Sequence, residues 1–160
     1  MIIHPFPPLF DADSRILILG SFPSVKSREQ QFFYGHPQNR FWQVLASVFE
    51  TAIPQSIPEK RAFLQARRIA LWDVLAACDI QGSADSTIKN ATANDLMPII
   101  KAADIRQIFV NGKTAEKYFI RYTERTLGRK ALCLPSTSPA NAAWRLPQLV
   151  EAWQVIRDFL

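Results

Sequence analysis

The 160-residue chain has only two cysteines, Cys78 and Cys133, and two histidines, His4 and His36. Two thiols cannot supply a four-cysteine iron–sulfur cluster, and histidines this far apart form no zinc spacing. Both cysteines sit in apolar surroundings, which reads as buried free thiols in a reducing cytoplasm. No apolar run approaches the ~20 residues of a membrane span, and no charged start with an apolar stretch behind it points to export. Internal repeats and linker-like stretches are also missing, so residues 1–160 are expected to form one domain. A Gly-x-Gly-x-x-Gly fingerprint is absent, which removes support for a dinucleotide cofactor. So is Gly-x-Ser-x-Gly, the elbow of a serine hydrolase. Gly112-Lys113-Thr114 invites a phosphate-loop reading, but Gln107 stands where that loop needs its first glycine.

What is present is a globular balance. Apolar residues make up 48% of the chain, enough for a real core at this length. The net charge is +5 and the pI near 9.5, a balance that suits a polyanionic partner.

The chain is organised around Arg15 to Trp42. Ile16 to Leu19 is a short aliphatic run that reads as a buried strand. Gly20-Ser21-Phe22-Pro23-Ser24 breaks it with a tight turn. A long loop follows, carrying Phe32, Phe33, Tyr34 and His36 and ending at Asn39. In an α/β protein, a loop at the carboxyl end of a strand is a usual place for a ligand.

Before this stretch, Met1 to Ser14 with its three prolines reads as an irregular lead-in on the domain surface. After it, Asn39 to Glu50 has helical spacing, with Phe41 and Trp42 inward. Ile57-Pro58 opens a helix to about Arg67. A second strand ends near Trp72-Asp73. Cys78 to Asn94 is polar and long, which favours a binding loop. Asn94 is placed to cap a helix to Ala102 or Ala103 that Pro98 makes short or bent. Strands are expected at Ile105 to Val110 and Ala131 to Leu134. Between them a helix has Ala115, Tyr118, Phe119 and Tyr122 on one face, and Lys113, Lys117, Arg121 and Arg125 on a solvated one. Arg145 to Leu160 closes the chain as a helix. Alternating strands and helices predict a three-layer α/β domain with a parallel sheet covered on both faces.

Two segments carry a family resemblance. Tyr34-Gly35-His36-Pro37-Gln38-Asn39-Arg40-Phe41-Trp42 resembles the His-Pro-x-Asn-Arg-Phe-Trp loop of the mismatch-specific uracil-DNA glycosylases. Gly20 to Ser24 takes the place of that superfamily's first motif, and Leu134-Pro135-Ser136-Thr137-Ser138-Pro139-Ala140-Asn141 is similar to its second. The wording most resembles the hypoxanthine (deoxyinosine) DNA glycosylase branch. The resemblance spans nearly the whole chain. It implies a four-stranded, flavodoxin-like uracil-glycosylase fold and hydrolysis of the N-glycosidic bond of a deaminated base. The expected partner is DNA containing a damaged base, handled by a monomer away from membranes and without metal or organic cofactor.

The resemblance and the residues together nominate a site. Tyr34 matches the aromatic that stacks on the flipped base, with Phe33 as the alternative and loop packing as a plain role for both. Asp73 resembles the Asn or Asp bordering the base pocket; its carboxylate can accept the N1–H of hypoxanthine, or it is simply a turn residue. Ser136, Ser138 and Asn141 lie in the second motif, where hydroxyls and backbone N–H groups suit phosphates. Phe22 stands in the first motif where many relatives have a polar residue that positions water. Asn39 is the expected substitute, holding water through its amide oxygen, and its other reading is the cap of the following helix. His36 is the second catalytic candidate, as a base or a donor to the departing base. The second-motif loop has no large apolar wedge before Trp144, which reads more readily as core. Lys26, near the first motif, is a further candidate, as a lyase nucleophile. The rival reading is a binding module without catalysis on the same scaffold, and uracil is the second substrate.

If the basic balance serves DNA, affinity for undamaged duplex should fall steeply as salt is added, measured by fluorescence anisotropy. A flat salt response would remove that role from the +5 charge.

Overall fold

In the computed structural model, which describes residues 1–160, β1 (Ile2–Ile3) is followed by β2 (Ile16–Gly20), α1 (Val25–Gln30), α2 (Phe41–Val48) and α3 (Ile57–Ala66). Then come β3 (Ile69–Asp73), β4 (Leu75–Asp79), β5 (Lys89–Ala93), α4 (Met97–Ala102) and β6 (Gln107–Asn111). The chain ends with α5 (Lys113–Tyr122), α6 (Glu124–Leu127), β7 (Ala131–Leu134) and α7 (Leu146–Trp153), and a 3₁₀ turn over Gln154–Phe159.

Four strands pair in parallel in the order β3-β2-β6-β7, the sheet expected from the sequence. Ile16 to Leu19 and Ile69 to Leu71 are almost entirely shielded from water. Such all-apolar strands are stable only when helices cover both faces. The register sets Gly20 opposite Asp73 and Asn111 opposite Leu134. The carboxyl ends of all four strands therefore finish at one edge of the sheet.

Helix starts follow local chemistry. Ser56 caps α3 by accepting the N–H of Glu59, with Pro58 in the first turn. Pro98 likewise sits in the first turn of α4, so this helix is short but not bent in its middle. Asn94 does not cap α4. Its amide donates to the carbonyls of Asp73 and Leu75 and braces the end of β3.

Four expectations are corrected. The lead-in is not wholly irregular: Ile2 and Ile3 pair antiparallel with β4, and β4 pairs with β5, making a second, three-stranded sheet. The polar Cys78 to Asn94 segment therefore holds the end of β4 and all of β5, whose polar residues hid the period of the hairpin. The loop after Gly20 contains α1, capped by the Ser24 hydroxyl accepting the N–H of Ser27. Finally, the last helix tightens into the 3₁₀ turn after Trp153. No helix is long and apolar enough to cross a membrane.

Two buried indoles fasten the loops to this frame. Trp42 donates to the carbonyl of Tyr34 (3.2 Å), and Trp153, fully buried, donates to the carbonyl of Pro135 (3.0 Å). Trp153→Phe should keep most of the packing but leave that carbonyl without its donor, at a cost of ~1–3 kcal/mol. Urea denaturation should show a lower midpoint at unchanged slope.

Candidate active site

A cleft of about 960 Å³ opens at the carboxyl edge of the parallel sheet. It is lined by the ends of β2, β3, β6 and β7 and by both sequence motifs. All the residues nominated from the sequence lie on it: Phe22, Phe33, Tyr34, His36, Asn39, Asp73, Ser136, Ser138 and Asn141. Lys26 does not; it is exposed on α1 and pairs with Glu29 at 3.6 Å.

The two motifs are joined by a relay of hydrogen bonds. The Asn111 amide donates to the Thr137 hydroxyl (3.0 Å), which donates to Asn39 Oδ1 (2.8 Å). Thr137 is fully buried, and its N–H returns to Asn111 Oδ1 (3.0 Å). Asn39 Oδ1 also accepts the N–H of Phe41 at the start of α2 (2.9 Å). A backbone N–H can only donate, so the amide orientation is fixed. Both expected lone-pair directions of Oδ1 are thus occupied by protein donors. The expected water held by this oxygen is therefore corrected: the end of Asn39 left uncommitted is its NH₂. The N-cap position of α2 is Arg40, which makes no side-chain cap; Asn39, one residue earlier, serves the helix start through Oδ1 and leaves its NH₂ free.

Arg40 adds a clamp. Its N–H donates to the Thr137 carbonyl (3.1 Å), and its guanidinium reaches the carbonyls of Ser138, Asn141 and Trp144. Trp144, expected in the core, is 39% exposed and stands on the cleft wall. Ser136 Oγ accepts from the N–H of Ser138, and Ser138 Oγ from that of Ala140. Their hydroxyl hydrogens remain for an incoming acceptor. Gly112, at φ +96°, lets this loop approach closely: a Cβ there would stand 2.9 Å from that of Ser136.

The aromatic loop divides into two parts. Phe32 and Phe33 are core residues, 3% exposed, with Phe33 edge-on to Phe6 at 4.9 Å. Tyr34 stacks on Phe41 with centroids 3.9 Å apart and planes at 15°. Its φ of +51° turns the chain there, and its buried hydroxyl has no partner. Burial, then the charge of Asp73, pushes the phenol pKa well above its ordinary value. His36 Nδ1 accepts from the N–H of Gln38 (3.1 Å), so the neutral ring carries its hydrogen on Nε2.

The floor is acidic. Asp73 is buried at 5% exposure, and His4 Nε2 lies 2.7 Å from its Oδ2. A Cβ on Gly20 would stand 2.5 Å from Asp73 Oδ1, so the carboxylate depends on a glycine there. Asp85, from the β4–β5 connection, accepts the Ser21 hydroxyl at 2.9 Å. It is exposed, yet the surrounding wall raises its pKa; Ser21 opposes that rise and Asp73 adds to it.

Sequence reasoning missed His4, Thr137, Asn111, Asp85 and Arg40. Arg40 and Thr137 lie inside the quoted motifs, and strict attention to those motifs would have found them. His4 is 69 positions from Asp73 and carries no sequence signal. Cys133, expected to be buried, is exposed on the edge strand β7 and lines the cleft; Cys78 is buried, and both thiols are free.

Comparison with known proteins agrees with this geometry. The family model described as "Uracil DNA glycosylase superfamily" matches residues 7–157. A hypoxanthine DNA glycosylase of Methanosarcina acetivorans is 36% identical over 143 residues, 88% of this chain and 89% of the relative. One from Methanosarcina barkeri is 36% identical over 140 residues, 85% and 86% of the two chains. The solution NMR structure of a candidate uracil DNA glycosylase from M. acetivorans superposes with a TM-score of 0.83 at 34% identity, covering 99% of both chains. In sequence over most of its length, and in the path of its backbone, the chain belongs to the uracil DNA glycosylase superfamily.

Proposed function

We propose that the protein is a monofunctional DNA glycosylase that hydrolyses the N-glycosidic bond of deoxyinosine and releases hypoxanthine, acting as a single-domain monomer in the cytoplasm. The observation that carries this reading is the Asp73 carboxylate, buried at the cleft floor and paired with no lysine or arginine. Deamination changes a ring nitrogen that accepts, N1 of adenine or N3 of cytosine, into one that donates. An ionised carboxylate only accepts. It therefore favours hypoxanthine or uracil and repels the ring lone pair of the undamaged base. The cleft volume admits a purine, and the names of the two Methanosarcina relatives support hypoxanthine over uracil. The free thiols fit a reducing compartment.

The target nucleotide must leave the base stack to reach this floor. Tyr34, backed by Phe41, offers the stacking face. As the C1′–N9 bond breaks, its electron pair stays with the base. Water adds its oxygen to C1′ and loses a proton, while the base gains one. His36 Nε2–H is a donor for the charge growing on the base. The Asn39 NH₂ holds the attacking water by donating to its oxygen. The Ser136 and Ser138 hydroxyls meet phosphate oxygens, and Trp144 at the rim covers the space the base leaves.

The direct test is incubation with oligonucleotides carrying a single inosine, uracil or xanthine, then alkaline cleavage of abasic sites. Strand breaks should appear first at inosine. With no cleavage at any of them, the catalytic reading fails and the binding module takes its place.

Asn39→Asp separates the two ends of the side chain, because it keeps both accepted hydrogen bonds and loses the NH₂. It should stay folded and lose orders of magnitude in single-turnover rate. Asn39→Ala should lose the rate and, in addition, ~0.5–2 kcal/mol of stability. Near-normal turnover by Asn39→Asp would transfer the role to His36.

Tyr34→Ala should weaken binding to inosine DNA by ~1–3 kcal/mol, the worth of one base–aromatic stack. Binding to undamaged duplex should barely change. Equal losses on both would make Tyr34 a packing residue.

A further inference from the structure

His4 lies outside both motifs, yet its imidazole is the one protein group bonded to the Asp73 side chain, with side chains 3% and 6% exposed. The pairing of β1 with β4 brings it there, and the His4 N–H donates to the Ala76 carbonyl at 2.8 Å. Its ring is enclosed by Phe6 at 4.5 Å, Trp72 at 4.3 Å and Phe22 at 5.9 Å, leaving little room to turn. Nδ1 is buried without a partner. A hydrogen on Nε2 satisfies the contact with Asp73 and leaves Nδ1 a bare lone pair, which is less costly than an orphaned N–H.

This arrangement commits Oδ2 of Asp73 to His4. Oδ1 lies against Gly20 at the end of β2, where a Cβ would collide with it. A carboxylate with both oxygens free could rotate and accept from several directions. Tied at one oxygen, it presents the other in one direction.

We propose that His4 is the specificity-positioning residue of the cleft: its Nε2–H anchors Asp73 so that Oδ1 meets the ring N–H that deamination creates. The inference rests on the glycosylase reading above. His4 does not touch the substrate and acts through Asp73.

The test compares wild type with His4→Gln, which keeps a donor, and with His4→Phe and His4→Met, which fill the aromatic box without one. Each is assayed on two duplexes, one with deoxyinosine and one with purine deoxyriboside, which lacks both the N1–H and the 6-oxygen. Single-turnover rate and equilibrium binding are read together, with a urea midpoint for every variant. The preference of wild type for inosine should fall about tenfold to a hundredfold in the non-donor variants, the range for a hydrogen bond to a charged group. His4→Gln should recover most of it. The loss should fall on inosine and spare purine deoxyriboside, which has no N–H to read.

Equal losses on both duplexes, or an intact preference in a folded His4→Phe or His4→Met, would overturn the proposal. If the non-donor variants do not fold, His4→Gln decides: a folded His4→Gln without the inosine preference also overturns it. A wild type that binds inosine selectively without cleaving it removes the enzyme reading but leaves the role of His4 open to the same binding comparison. A wild type with no preference in either measurement ends both.

Discussion

The Thr137 hydroxyl has one hydrogen, and that hydrogen has one direction. Thr137 receives from the Asn111 amide at the end of β6 and gives to Asn39, 98 residues away in the chain. In the buried interior each link must be made, because an unpartnered polar group costs about as much as the bond is worth. The relay therefore decides which way Asn39 faces. Its oxygen turns to the protein, and its NH₂ is left for the cleft. The same contact aligns the backbone: the Arg40 N–H reaches the Thr137 carbonyl, and its guanidinium gathers the carbonyls of the second motif. The two motifs are one unit because a single buried side chain satisfies both.

The electrostatics of the cleft oppose those of the chain as a whole. The net charge is +5, and Lys113 lines the cleft wall. Asp73 is buried in the cleft floor, while Asp85 lines the cleft from the exposed β4–β5 connection. A basic exterior attracts a polyanion, while the buried Asp73 carboxylate repels phosphate. The two signs of charge thus work at different depths.

The parallel sheet could be read from the sequence because its strands are apolar without alternation, as in Ile16 to Leu19. That the candidate residues Tyr34, His36 and Asn39 share one cleft could be read for a related reason: a fixed local spacing holds them together whatever the rest of the chain does. β4 and β5 were not legible. Their antiparallel pairing has irregular register, and β5 is Lys-Asn-Ala-Thr-Ala, a polar run without hydrophobic period. β1 is two residues long and forms only through its partner β4. Trp144 reads as core because its size suggests burial, but it is exposed. The loop that carries it is held by backbone carbonyls to Arg40 rather than by its own side chain, which leaves the indole outside.

The least legible residue explains why the N-terminal strand matters. A carboxylate that reads a base must be shielded from water, because water would satisfy it without discrimination. Shielding it without a partner is costly. A lysine or arginine would supply charge but would also occupy the acceptor with flexible donors. An imidazole in an aromatic box gives one donor at one angle, and Phe6, Trp72 and Phe22 fix that angle. Neither motif supplies a hydrogen bond to the Asp73 side chain; the motif hydroxyl of Tyr34 lies beside Gly20 without a partner. The donor has to come from behind Asp73, and the short antiparallel pairing of β1 with β4 is what brings the chain there.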